Sequence, residues 1–398
     1  MAHSSGPATV RTPTTAIDRA SIAATGGRQA WADQVLLPRS GLSCLITTAR
    51  PAGDAASHAI GARQVIESSY TYDSLNRLTN LTAAKGTTLA SYAYSLGAAG
   101  NRPSVTEASG RKAAWGYDAL YRLTGETITG DPDGANGAVG YTFDPVGNRL
   151  TRTSSLAAVP AATSAFDAND RLTSGGYDLN GSTTSSGGNA YTFDFEGRLK
   201  QMNSGAVSIL YDGDGNRVGL SAAGVSTTYL VDTMNPTGYP QLLEELVNGA
   251  VQRVYTYGIT RISQSQLIGG AWATSYYGYD GQGSVRFLTG SAGTITDHYT
   301  YDAFGNQLAA VGATPNVNRY VGEPFDQSLQ MTYLRARYMN PATGRFWTMD
   351  TWAGDPAAPL SLHKYLYCRG NPINFVDPCG RDGVTPMVNL VLFFSTSE

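Results

Sequence analysis

Apolar and polar positions alternate with period two through most of this chain. In Tyr70-Thr71-Tyr72 both rings fall on one face of an extended segment. An aspartate follows at 73, then a small or polar pair, and Arg77-Leu78-Thr79 resumes the alternation. The unit recurs as WGYDALYRLT (115–124), YTFDPVGNRL (141–150), AFDANDRLT (165–173), YTFDFEGRLK (191–200), YDGDGNRV (211–218), YGYDGQGSVR (277–286) and YTYDAFGNQL (299–308). Degenerate copies around Tyr94, Tyr229 and Tyr255–Tyr257 fill the gaps. Aligned on the aspartate, the beats fall at 73, 95, 118, 144, 167, 194, 212, 232, 258, 280 and 302. The interval is most often 22 or 23 residues, the mark of a repeat architecture.

Each beat reads as strand, turn, strand. The Gly-Asn, Leu-Asn or Gly-Gln pair supplies the turn, because Gly and Asn accept positive φ and Asp bonds backbone just downstream. No window from 67 to 310 shows a helical apolar period with caps, and Gln241–Val247 allows at most a short turn of helix. A single hairpin is marginal in water, and stacked units draw their stability from neighbours. The expectation is therefore all-β: hairpins paired side by side over 67–310 in one continuous, spiralling antiparallel sheet. Tyr outnumbers Phe, 24 to 11, which fits a sheet whose rings keep a wet hydroxyl. The aspartate is expected to hold turn amides, and the arginine to reach a neighbouring beat. Repetition itself argues against catalysis, which needs a unique constellation.

Composition narrows the function classes. Charged residues are 15%, below the ~25% of ordinary globular chains, and the net charge is −3. Basic residues are scattered about one per beat, which excludes a nucleic-acid footprint. Cys44, Cys368 and Cys379 form neither a disulfide framework nor a zinc spacing. DGDGN (212–216) imitates a calcium loop, but Arg217 stands where Gly is required and Ala223 where Glu is required. No cofactor or metal is expected. His363 reads as a packing or turn residue. Residues 1–66 lack the beat and read as a disordered or atypical N-terminal segment. Neither Val35-Leu36-Leu37 nor MVNLVLFF (387–394) is long enough for a membrane span.

The closing stretch 318–381 has a separate and more specific pattern. It contains Tyr333-Leu334-Arg335-Ala336-Arg337-Tyr338, Pro341-Ala342-Thr343-Gly344-Arg345-Phe346, Asp350, Tyr365-Leu366-Tyr367, Asn371-Pro372-Ile373-Asn374 and Val376-Asp377-Pro378. With the beats before it, this block resembles the RHS/YD-repeat family. That family includes rearrangement-hotspot proteins, toxin-complex C subunits, wall-associated repeat proteins and the teneurin shell. The resemblance covers 67–381. It divides the chain into repeats at 67–317, an RHS repeat-associated core at 318–381 and a short tail at 382–398. It implies a sheet spiralled into a hollow shell, a core block tucked in as a plug, and export to the cell surface or medium. A delivery-system component or the rest of a longer shell is the partner it implies. Eleven beats are few for a closed shell, and the 17 residues after Arg381 are too few for a toxin domain.

In several family members the core block cuts itself just after its final Asp-Pro-x-Gly-x motif. The resemblance makes Asp350 and Asp377 the aspartyl pair, Arg345 the residue that orients them, and Arg381/Asp382 the cut. Such chemistry needs two carboxylates close enough to share a proton. The plain alternative is that both aspartates cap turns, since Asp before Pro or Gly is ordinary turn chemistry. Asp355 is a third carboxylate nearby. Two departures weigh against cutting: Arg381 replaces the usual Leu, and Asp350-Thr351-Trp352 replaces Asp-Pro-x. The leading expectation is a structural shell fragment, with an active autoprotease as the enzymatic rival. A repeat module binding carbohydrate or protein through its aromatic face is the binding-class rival.

Overall fold

The structure is a computed structural model and describes residues 56–59 and 66–381. The tail 382–398, Asp382 and Cys44 lie outside the described residues, as does most of the segment expected to be disordered. Part of that segment is nonetheless ordered. Ala56–Ala59 pairs antiparallel with Glu67–Tyr72, and Ile66 is buried beside Ala83 and Phe287.

Among the described residues there is no α-helix, and all strand pairing is antiparallel. Ten strands, from Ala56–Ala59 to Ala162–Thr163, form a first sheet. Fourteen more, from Gly176–Tyr177 to Gln307–Val311, form a second. Four short strands of the closing block, Phe325–Asp326 to Arg345–Phe346, form a third. In each sheet the spatial order is the chain order, and no sheet closes on itself.

The expected single sheet is therefore interrupted. Between Thr163 and Gly176 no strand forms, and the chain is carried across by the Phe166–Leu172 bridge, the Asp167 turn and isolated bonds such as Ser164 N–H to Leu150 O and Thr173 N–H to Ala165 O. The cause is an extra beat that the pattern reading missed. Asp178 N–H donates to Ser182 O at 3.0 Å and its Oδ1 accepts the Ser182 amide at 2.8 Å, as at the regular beats such as Asp118 and Asp194. It follows the Asp167 turn so closely that no full strand fits between them. Gln241–Val247 is a second correction. It is a seven-residue strand between Val225–Asp232 and Ala250–Tyr257, with Glu245 buried against Arg253 and Tyr255.

The beat has one repeated hydrogen-bond scheme. At Asp73, Asp118, Asp144, Asp167, Asp194, Asp212, Asp280 and Asp302, the amide donates to the carbonyl four residues on. The carboxylate Oδ1 then accepts the amides two and four residues on, as at Leu120 and Arg122 (both 2.9 Å). Oδ2 takes the side chain at the fourth position, Arg in Asp118–Arg122 (2.6 Å) or Asn in Asp302–Asn306 (2.7 Å). The arginine's remaining nitrogen does reach the next beat: Arg77 donates to Gly97 O and Arg122 to Asp144 O. Between Asp73 and Asp118, Gly97 rather than Ser95 holds the aspartate's place in the turn.

Many of the tyrosines are not wet, though Tyr121 is exposed. Tyr92, Tyr141, Tyr320, Tyr338 and Tyr367 are buried in the core. Several hydroxyls bond backbone inside it, as Tyr320 does to Ala303 O (2.8 Å) and Tyr301 to Val285 O (3.1 Å). One apolar cluster joins Leu81, Leu123 and Val139 of the first sheet to Val285, Leu288 and Phe304 of the second. Another holds Tyr191, Leu199 and Ile209. The hairpin Met331–Leu334 / Arg337–Asn340 lies between the two. Period-two alternation sends Leu334 and Met339 to the first cluster, and Met331 and Tyr338 to the second.

If the aspartate organises the beat, Asp118→Ala will lower stability by about 1–3 kcal/mol, because it leaves two turn amides and a guanidinium without their acceptor. Asp118→Asn, which keeps one acceptor, will cost less. Urea midpoints measure both.

Candidate functional site

The closing hairpin turns at Arg335, whose φ is +53°. Three successive carbonyls of the last described segment are caught at this turn. The Arg335 guanidinium bonds Pro378 O, the Ala336 amide bonds Cys379 O (3.2 Å), and Arg337 Nε bonds Gly380 O. Asp377–Arg381 itself folds as a beat-like turn, with Oδ1 of Asp377 accepting the Arg381 amide at 3.0 Å. Gly380 is required there. Its φ is +73°, and a Cβ would stand 2.2 Å from Leu334 O.

Asp350 arrives from the other direction. Its amide donates to Lys364 O (2.8 Å), and its Oδ1 accepts the Trp352 amide (2.9 Å). One guanidinium nitrogen of Arg337 then meets both carboxylates, 2.7 Å from Asp350 Oδ2 and 3.7 Å from Asp377 Oδ2. Arg337 is fixed from two further sides, by a 3.1 Å bond to Lys364 O and by the Phe346 ring 3.6 Å below it. The structure thus brings Asp350 and Asp377 together around a shared cation, beside the tethered 378–381 segment.

Electrostatics pulls in two directions here. Burial pushes the Asp350 carboxyl above its ordinary value, and Arg337 opposes the shift. Burial also lowers Arg337, against the pull of Asp350 and Asp377. Asp377 is only 3% exposed. Asp350, Thr351, Cys379 and Arg381 open onto a cavity of about 1210 Å³ whose far wall carries Tyr229 and Arg261.

Arg345, named from sequence as the orienting cation, sits elsewhere. Its guanidinium bonds Asn148 Oδ1 (2.8 Å) and Asp170 O and packs on Phe166 and Tyr365. Burial lowers it to about 10. Strand pairing explains the difference. Arg345 lies opposite Asn340 and Arg337 opposite Leu334, so the two arginines occupy different ends of the small sheet. Arg337 was visible in sequence only as part of the Tyr-Leu-Arg-Ala-Arg-Tyr run. Asp355 caps its own turn through the Ala357 amide and stands apart. Among the described residues no group of His, Cys, Asp and Glu could hold a metal ion.

His363 is neither ligand nor base. Its Nε2 faces Asn148 Oδ1 at 2.9 Å and its Nδ1 accepts the Tyr365 amide at 3.1 Å, an arrangement only the neutral ring satisfies. Burial, then the Arg345 charge, lowers it to about 4. A folded value below the unfolded one means stability is complete above about 6.5 and is lost as pH falls toward 4. The closing block will therefore loosen across that window, by on the order of 3 kcal/mol for the whole shift. His363→Gln will flatten the dependence, measured by amide exchange at Tyr365.

No protein-family model matches the chain. Over 280 residues it is 31% identical to the tRNA nuclease WapA of Bacillus subtilis strain 168 and to the tRNA3(Ser)-specific nuclease WapA of Bacillus spizizenii. These alignments take in 66% of this chain but only 12% of each curated relative. Among solved structures, the TcdB2-TccC3-Cdc42 crystal structure superposes with a TM-score of 0.65 at 18% identity, covering 82% of this chain and 19% of that one. The Photorhabdus luminescens Tc holotoxin pore gives 0.66 at 18% identity, over 82% of this chain and 18% of that one. The fold is that of the TcdB2-TccC3 shell, the sequence likeness runs to WapA, and the chain is a relative of the RHS/YD-repeat family.

Proposed function

We propose that the chain is a section of a β-shell that encloses a polypeptide, and that its closing block severs the peptide bond after Arg381. The observation that carries the cutting reading is Arg337 bridging Asp350 and Asp377 next to three tethered carbonyls. Buried shared cations also occur in the repeats, where Arg286 meets Glu107 and Asp280, but here the bridged pair lies beside the tethered 378–381 segment. The enclosure reading rests on the wedge-like closing block, the cavity it borders and the fold shared with TcdB2-TccC3.

The chemistry assigns each group a part. Asp377 lies against the Arg381 amide, so its carboxylate is placed to take a proton from water. The water oxygen bonds the Arg381 carbonyl carbon, and the bond to the Asp382 nitrogen breaks. Asp350, raised by burial, carries the proton that polarises the carbonyl and then passes to the leaving amine. Arg337 offsets the charge on the pair and keeps it in register. Arg381 in place of the family's Leu makes the reaction slow.

Intact mass will show the outcome. The purified protein is expected to lose 382–398 over hours to days, and Asp350→Asn and Asp377→Asn to stay full length while still folded, with a somewhat lower melting temperature because each leaves Arg337 less compensated. Arg381→Leu is expected to cut faster. Gly380→Ala will also block cutting, but by unseating the turn, and will lower the melting temperature. If both the wild type and Arg381→Leu remain intact, the aspartates are turn residues and only the shell reading survives.

A further inference from the structure

The two sheets touch along a seam that no backbone ladder spans. Side chains cross it instead: Arg286 to Glu107 (2.9 and 3.0 Å), Arg111 to Tyr301 O, Tyr94 to the Gly281 amide and His298 to Asp133. Near the middle sits Glu126, on the first-sheet strand Leu123–Thr129. It is 3% exposed. Its Oε2 accepts the amide of Ala303, in the second sheet's Asp302 turn, at 2.8 Å, and its Oε1 accepts Trp115 Nε1 at 3.0 Å.

Unlike Glu107, Glu126 has no salt-bridge partner among the described residues. A buried carboxylate with no counter-ion is costly when charged. Beside it is a small cavity of about 50 Å³, where Glu126, Asp280, Asp302, Arg111 and Arg286 line the wall among aromatic rings such as Trp115. We propose that Glu126 is a proton-operated latch: neutral, it lets the seam stay shut, and ionised, it draws water into the cavity and parts the two sheets.

The groups facing it set the sense of the switch. Burial and the Asp302 carboxylate raise Glu126 to about 7, against its two N–H donors and Arg111. From the flanking strands Tyr117 and Tyr141 face it as neutral phenols, both held above their ordinary value by burial. A carboxyl raised in the folded state stabilises fully below its unfolded value and loses that contribution as pH rises through about 7. The seam is thus tightest in acid, loosens as pH rises from about 4.5 to about 7, and changes little above that. His363 acts in the opposite sense and outside the seam, so the readout must be local.

The test is amide exchange at Ala303 in the full chain, expressed as protection relative to the Asp73–Arg77 turn, from pH 5 to pH 9. Protection is expected to fall on the order of 100-fold, almost all of it between pH 5 and pH 7, and to level off above, as a shift of this size requires. Glu126→Gln, which keeps an acceptor for the Ala303 amide, is expected to abolish the fall, and His298→Gln to leave it. Flat or rising wild-type protection overturns the latch even if the Gln variant fails to fold. So does a folded Glu126→Gln variant with the wild-type slope.

Discussion

A hairpin has two faces and can hide neither by itself, and a row of hairpins inherits the problem. The structure solves it by putting a second object between its walls. The hairpin Met331–Leu334 / Arg337–Asn340 sends Leu334 and Met339 to one apolar cluster and Met331 and Tyr338 to the other. Each sheet gains a partner surface it could not make from its own repeats. The seam, the tyrosine core and the aspartate pair are all arranged around that wedge.

The same wedge explains why two carboxylates meet in the closing block. A repeated beat offers the same turn many times, and its aspartate is saturated with two amides and an Arg or Asn. Asp377 begins as one more such turn. It becomes different because Arg335-Ala336-Arg337 reach across from the wedge and Arg337 is shared with Asp350. A structural turn is thereby converted into a two-carboxylate site by one cation of tertiary origin.

Charge also divides labour between core and seam. Arginines stack on aromatic rings throughout, as Arg217 does on Tyr333 (4.1 Å) and Arg122 on Phe143 (4.9 Å), so cations are kept inside without breaking the apolar packing. Glu126 and His363 are buried groups whose charged forms burial disfavours. They respond to pH in opposite senses, one at the seam and one under the closing block.

What the sequence settles alone is whatever repeats or is local. Period-two alternation set the strands, Asp with Gly or Asn set the turns, and the Asp-to-Arg spacing set the link between beats. The RHS-like block marked Asp350 and Asp377 because both belong to short linear motifs. Tertiary structure decided the rest, since pairing depends on neighbours distant in sequence. The Asp178 beat was hidden because neither a second ring nor an Arg-Leu flanks it. Gln241–Val247 became a strand because two strands were there to receive it. Hydroxyls such as those of Tyr301 and Tyr320 went dry because packing brought the carbonyls of Val285 and Ala303 within their reach inside the core. Arg345 and Arg337 look equally suited to the aspartates in the sequence. Only the register of the small sheet, with Leu334 opposite Arg337 and Asn340 opposite Arg345, decides which one meets them.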